Sequence, residues 1–574
     1  MVVTVRTIYS TLWYAVCVLA CIDTGLFIYP SLSRTMLPAL CAMTMALIHT
    51  AWCIFGRKRI YFSNIQLFVL VWCAYILAHG IMQSEAEQYM LMYLLGTLMT
   101  IVVLASGIRD GLVSRRDVEN GILTMTSIHI IFIVFQCLGL FTSCNPYFRL
   151  TGADENPNIT AIALTASIPF VCHRIAGGRQ RGVYIALLAA ILLSVISLKC
   201  RTAYLGIICM SILAVTKSDT ARKCVKWKCA GIMAVTVMIV ILGIYGYTWK
   251  KDSADGRLFI WQRSAEMVVS SPLGVGYGMF ERSYNLYQAD YFAENDNERT
   301  NSTLATACGS AYNDILEHAV QGGIVGGLLF IVFLLLVLWR AYAMQEYYIL
   351  YAMTAITVMA TVNSICYSVT PWIITVAITA LIAGSSVSVR CGRRIGTVCG
   401  LLLAVTSSYI LFNRVMFIYS QWQLKEYMTY QVHDTMKVGK LHTITGTSEA
   451  YWRYMAECHE ADHDSRSANI CYQTALRYTS SPLLLYKAAM CQESCGNVPA
   501  ATGLLRTACN MLPGNLSLKY LLMKLYIRTG NDTLSKTVAE EILSKRNGRN
   551  TESARFIRDE AARLLNKEMN TNAH

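Results

Sequence analysis

Three arginines stand where topology alone does not account for them. Arg201 sits in SLKCRTAYLG, at a tight connection between two apolar runs, and Arg257 and Arg263 lie in GRLFIWQRSAEMVVSS. A charge at a membrane boundary is costly unless it meets a cavity or a partner. Guanidinium groups suit phosphate and pyrophosphate, because their planar fork makes bidentate, charge-assisted hydrogen bonds. The plainer alternatives are a snorkelling Arg201 that anchors a helix end beside Lys199, and solvated charges on a surface helix for Arg257 and Arg263.

A second polar group closes the same interval, in SAYNDILEHAVQGGIVGGLLF: Tyr312, Asn313, Asp314, Glu317 and His318. The intervening SSPLGVGYGMF is turn-rich, with Pro272 and three glycines, but it lacks the Lys-Ser/Thr ending and the strand-helix context of a phosphate loop. The loops read as external offer no Asp-x-Asp, and no metal-ligand cluster is expected from the sequence. The expected chemistry therefore uses neither metal nor cofactor. His49 and His129, inside apolar runs, read as hydrogen-bonding groups within a helix bundle before they read as a relay, and Asn363 reads the same way.

The elements that must position these residues are membrane helices. Hydrophobic residues make up 55% of the 574, charged residues only 15%, and the mean hydropathy is +0.42, which excludes an ordinary soluble globule. About thirteen apolar runs approach the roughly 20 residues that a bilayer needs. They lie near 8–29, 36–55, 62–82, 88–107, 120–142, 157–173, 183–199, 201–216, 228–247, 319–339, 345–366, 369–388 and 395–415. The fold class expected is all-α, a polytopic transmembrane bundle with a large external loop at 248–318 and a C-terminal α-solenoid.

Orientation follows from Lys and Arg in short loops. GRKR (56–59), RDGLVSRRD (109–117), HRIAGGRQR (173–181), KSDTARKCVKWK (217–228) and RCGRR (390–394) are basic, whereas the alternate loops are poor in positive charge. This places the N-terminus in the cytoplasm, and the 248–318 loop and everything beyond about 418 outside. The net charge of +14 is then topological, and no nucleic-acid partner is expected. Most of the 21 cysteines sit in apolar runs, as small hydrophobes.

Residues 419–574 change character. Gly496-Asn497 recurs as Gly530-Asn531, Leu484 as Leu518 and Tyr486 as Tyr520, with Asp462-His463 one period earlier. A period near 34 residues with paired amphipathic helices resembles tetratricopeptide repeats, which bind peptides or proteins. A non-repetitive helical bundle is the alternative.

NPN at 156–158, CRTAYLGI around Arg201, GRLFIWQRSAEMVVSSPLGVGYGMF at 256–280 and AYNDILEHAVQGGIVGGLLF at 311–330 occur in order. Over roughly 150–340 the chain resembles the O-antigen ligase and polymerase superfamily of membrane glycosyltransferases. The resemblance implies a glycan donor linked to undecaprenyl (polyprenyl) pyrophosphate, a lipid, glycan or protein acceptor, and a site on the periplasmic face of a bacterial inner membrane. It implies that Arg201 and Arg257 engage the donor pyrophosphate; Arg263 and Asn313 are further candidates for binding. Many ligases carry a His immediately before the Asn of the last motif, and here that position is Tyr312. Tyrosine, with a reference pKa of about 10, is a poor base near neutrality. Tyr312 and His318 are the expected catalytic candidates beside the two arginines. A lipid-linked glycan exporter and a non-catalytic scaffold are the readings from other classes.

Overall fold

The computed structural model describes residues 2–23, 30–56, 61–82, 88–217, 251–295, 304–386, 388–390, 393–446, 448–544 and 551–569. The run expected at 228–247 lies outside the described residues. They divide into two compact units: 1–84, 88–251 and 312–426 form one, and 85–87, 252–311 and 427–574 form the other. Residues 252–311, read from the sequence as a loop of the membrane domain, thus group with the C-terminal helices. The later boundary falls inside the helix Arg393–Thr429, past the 418 suggested by hydropathy.

The first unit is an all-α polytopic bundle. It contains α1 (Val2–Cys21), α2 (Pro30–Phe55), α3 (Asn64–Met82), α4 (Gln88–Arg109), α5 (Arg115–Cys137), α6 (Pro157–Ala176), α7 (Arg181–Leu198) and α8 (Arg201–Lys217). After the second unit's segment come α11 (Asp314–Ala343), α12 (Tyr347–Ala360), α13 (Val369–Ser385) and α14 (Arg393–Thr429). Seven described helices are long and apolar enough to cross a membrane, and α3, α12 and α13 are shorter apolar helices. The chain is a multi-pass membrane protein. Two short strands, β1 (Tyr61–Ser63) and β2 (Ser388–Arg390), pair antiparallel with Tyr61 opposite Arg390.

Side-chain bonds fix how the helices alternate. Trp372 Nε1, at the start of α13, donates to Thr97 Oγ1 in the first half of α4 at 2.8 Å, while Arg109, at the end of α4, donates to the Ala383 carbonyl near the end of α13. These two helices therefore run parallel. One end of the bundle gathers Asp110, Arg115 with Glu346, and Arg174 with Glu119. The other gathers Arg34 with Asp154, and Asp314 with the α12–α13 connection. Most of α13 is buried, Thr370 through Gly384 without a break, as suits a helix apolar on every face. A Cβ on Gly384 would come within 2.8 Å of the Ala105 carbonyl oxygen, so glycine sets the approach of α13 to α4.

The second unit joins α9 (Lys251–Ser270) and α10 (Phe280–Glu294) to α15 (Thr435–Gly439), α16 (His442–Thr445) and a stack of helix pairs. The pairs are α17 (Glu449–Ala461) with α18 (Ser465–Ala475), α19 (Pro482–Ser494) with α20 (Val498–Met511), and α21 (Leu516–Arg528) with α22 (Asp532–Ser544); α23 (Glu552–Met569) follows. Their turns carry left-handed residues at equivalent places: His463, Gly496 and Gly530 have φ of 59°, 79° and 71°. Asp464 and Asn497 then cap the second helix of their pairs. Helix α10 packs on α20 through Ala289, in one core with Leu505 and Met511. Gln288 Nε2 donates to the Met511 carbonyl at 2.7 Å, and Arg282 Nε to the Leu476 carbonyl at 2.9 Å.

Candidate functional site

The sequence AYNDILEH folds as a helix entry. Tyr312 has φ of 51°, in the left-handed region, and turns the chain into α11. Asn313 is the N-cap, its Oδ1 accepting from the backbone N–H of Ile315 at 3.0 Å and of Leu316 at 3.2 Å. The half-buried Tyr312 and Asn313 therefore precede the helix, and the angular separation that a helix would impose between Tyr312 and His318 does not apply.

Asp314 turns inward and is fully buried. Its carboxylate accepts from the backbone N–H of Ile365 at 2.9 Å and of Cys366 at 3.3 Å, in the non-helical connection between α12 and α13. In that connection the amide nitrogen of Asn363 and the hydroxyl of Ser364 are buried with no hydrogen-bond partner among the described residues. Glu317, one turn on, is buried and accepts from Gln321 Nε2 at 2.7 Å. His318 is buried in an aromatic enclosure, its ring 5.4 Å from Trp72, 4.6 Å from Phe330 and 6.3 Å from Tyr367. The helix breaks at Gly323, where φ is 67° and ψ is −173°, and Tyr75 donates to the carbonyl of Gly322. The break separates a polar first segment, 314–322, from the apolar remainder.

Arg201 is the first residue of α8, directly after Lys199 in the left-handed region and the buried Cys200. It lies at the same end of the bundle as Asp314, since α7 and α8 meet there. A cation at a helix N-terminus adds to the positive end of the helix dipole, a placement that favours an anion nearby.

That end also holds a buried ion pair that the sequence did not reveal. Arg34 Nη1 meets Asp154 Oδ1 at 3.1 Å, with both side chains under a tenth exposed. Thr160 and Thr370 donate to the same carboxylate at 3.2 and 3.3 Å, and His129 Nε2 stands 3.7 Å from it. His129 accepts at Nδ1 from the Ala153 N–H. It is thus a packing and hydrogen-bonding residue that holds the loop leading into α6, where Asn156 caps the helix ahead of Pro157.

Arg257 and Arg263 both lie on α9 in the second unit, on faces about 120° apart because six residues separate them. Arg263 is buried: its Nη2 pairs with Glu266 Oε1 at 2.8 Å, and its guanidinium carbon lies 4.1 Å from the Tyr291 ring centre. A stripe of Phe259, Ile260, Arg263, Ser264 and Met267 forms the buried face of α9, while Arg257 is half-buried. The structure thus sets Tyr312, Asn313 and His318 along one helix start, Arg201 at the same end of that bundle, and Arg257 and Arg263 in the other unit.

No curated protein matches the chain at a significant level. Residues 174–331, which contain Arg201, both α9 arginines and the whole polar segment of α11, match a family model described as O-antigen ligase. Over those residues this multi-pass helical bundle is similar to the O-antigen ligase family.

Proposed function

We propose that this protein transfers a glycan from a polyprenyl-pyrophosphate carrier to an acceptor outside the inner membrane of a bacterium. The observation that carries the reading is the family match, which spans Arg201, Arg257, Arg263, Tyr312, Asn313 and His318. Positive-inside bias assigns the Asp110 and Arg115 end to the cytoplasm and the Arg201 and Asp314 end to the outer face. Arg201 and Arg257 stabilise the pyrophosphate as it leaves, because fixed guanidinium groups act best where charge develops in a partly dehydrated site. Arg263, already engaged with Glu266 and Tyr291, serves chiefly to seat α9. Asn313 fixes the start of α11.

Tyr312 stands beside that start, where its hydroxyl orients an acceptor, and His318 supports the segment from within its aromatic enclosure. With a well-stabilised leaving group the acceptor hydroxyl needs only modest help from a base, and the transfer proceeds without metal. The helix pairs of 449–569 act as tetratricopeptide-like repeats that recruit an acceptor or a partner protein.

A second reading within the superfamily, a repeat-unit polymerase, is favoured by Tyr312, which stands where many ligases carry His. Deleting the gene separates the two. A lost ligase leaves long chains on the lipid carrier, a lost polymerase leaves single units, and unaltered carrier-linked glycan contradicts both.

A further inference from the structure

From the sequence no ligand cluster was expected, yet the structure assembles one at the bundle end opposite Asp314. His49 and Cys53 are one turn apart on α2, and Asp110 directly follows α4. His49 Nε2 and Asp110 Oδ2 lie 2.9 Å apart; Cys53 Sγ is 3.8 Å from that nitrogen and 3.9 Å from that oxygen. These three atoms belong to the one group of metal-ligating side chains that converges in this way among the described residues.

We infer that His49, Cys53 and Asp110 form a binding site for one divalent transition-metal ion of the zinc class. The triangle has nearly the right size. Zinc bonds of about 2.0 Å to nitrogen and oxygen and 2.3 Å to sulfur put tetrahedral ligand atoms roughly 3.3–3.6 Å from one another. Each edge here lies within a few tenths of an ångström of that, and the His–Asp edge is the short one because a hydrogen bond now spans it. Binding replaces that hydrogen bond. The cysteine thiol gives up its proton to solvent, and thiolate, carboxylate and neutral imidazole then offset the two positive charges.

Donor type selects the metal. A mixed sulfur, nitrogen and oxygen set suits zinc and disfavours magnesium and calcium, which take oxygen ligands. Access and rigidity are both present. His49 and Cys53 are buried, whereas the Asp110 side chain is 19% exposed, which leaves an entry path and a fourth position for water. Arg109 locks the end of α4 through the Tyr61 carbonyl, Gln66 Oε1 and the Ala383 carbonyl, so Asp110 is held by its neighbours and not by the ion pair alone. The ion clasps α2 to the end of α4. Arg201 and Asp314 lie at the other end of the bundle, so the site is structural and the transfer chemistry does not depend on it.

The full-length protein in detergent, freed of metal with a chelator, is titrated with Co²⁺. One equivalent is expected to develop a thiolate-to-cobalt charge-transfer band in the near ultraviolet, which Zn²⁺ then abolishes by displacement. Cys53→Ser should lose the band, and Asp110→Asn should weaken Co²⁺ binding at least tenfold. Cys41→Ser, on the same helix, should retain the band. A wild-type protein without the band, a measurement that needs no variant to fold, overturns the site. A band that persists in Cys53→Ser assigns the metal to another cysteine and overturns it as well.

Discussion

The carboxylate of Asp314 accepts the backbone N–H of Ile365 at 2.9 Å, joining the start of α11 to the connection between α12 and α13 across 51 residues of sequence. Asp314→Ala would leave the buried N–H groups of Ile365 and Cys366 without their acceptor, at about 1–3 kcal/mol for each. The variant should unfold at a lower temperature in detergent and transfer less glycan, and Asp314→Asn, which keeps one acceptor oxygen, should fall between. Unchanged melting of Asp314→Ala would refute the role of this bond in holding the connection.

The break at Gly323 predicts a second sensitivity. Its φ and ψ of 67° and −173° belong to a region open essentially to glycine alone. Gly323→Ala should cost about 1–3 kcal/mol, or straighten the helix and displace its polar first segment. Thermal unfolding and transfer by this variant test the point, with the exposed Gly503→Ala as the control; equal behaviour of the two would contradict it.

Arg34 and Asp154 form a buried pair, so the single variants should be worse than the double. Arg34→Met alone leaves an unmatched carboxylate and should destabilise by about 3–5 kcal/mol. Arg34→Met with Asp154→Leu should recover a large part of that loss. A double variant no more stable than the single would show that the pair is not coupled.

In the second unit, burial raises the Glu281 carboxyl above its ordinary value of 4.5, against hydrogen bonds from Thr479, Ser480 and Asn285 that lower it. A carboxyl whose folded pKa is raised contributes stability below its unfolded pKa and loses it as pH rises through the folded pKa. The packing of α10 on the C-terminal helices should therefore loosen as pH climbs from about 4 toward neutrality relative to Glu281→Gln. Hydrogen exchange of residues 280–294 in the intact chain, compared between the two proteins across that range, reads the difference. Parallel pH profiles would exclude Glu281 as the cause.

The membrane helices were legible because each must carry its own apolar length, and that length is local. The repeated turns were legible for a similar reason: Gly496 and Gly530 supply the left-handed residue that ends each first helix. What stayed hidden was pairing between distant segments. Nothing local says that the partners of Arg34 and Asp314 lie 120 or 51 residues away. His49 and Cys53 had helical spacing, but Asp110 completes their group only after α2 and α4 pack. The grouping of 252–311 with the C-terminal helices was equally invisible, because it rests on contacts such as Gln288 with Met511. The doubled glycines of QGGIVGG were the available sign of the break in α11, and the apolar run around them masked it.

In the proposed reaction, fixed guanidinium groups drive the departure of a lipid pyrophosphate. The most direct test is transfer in proteoliposomes from a defined polyprenyl-pyrophosphate glycan by the wild type, Arg201→Ala and Arg257→Ala, each first shown to insert and to remain monodisperse. Removing one electrostatic stabiliser of a transition state typically costs 10²–10³ in rate, and each variant should lose about that much. Full activity in both variants would contradict the account.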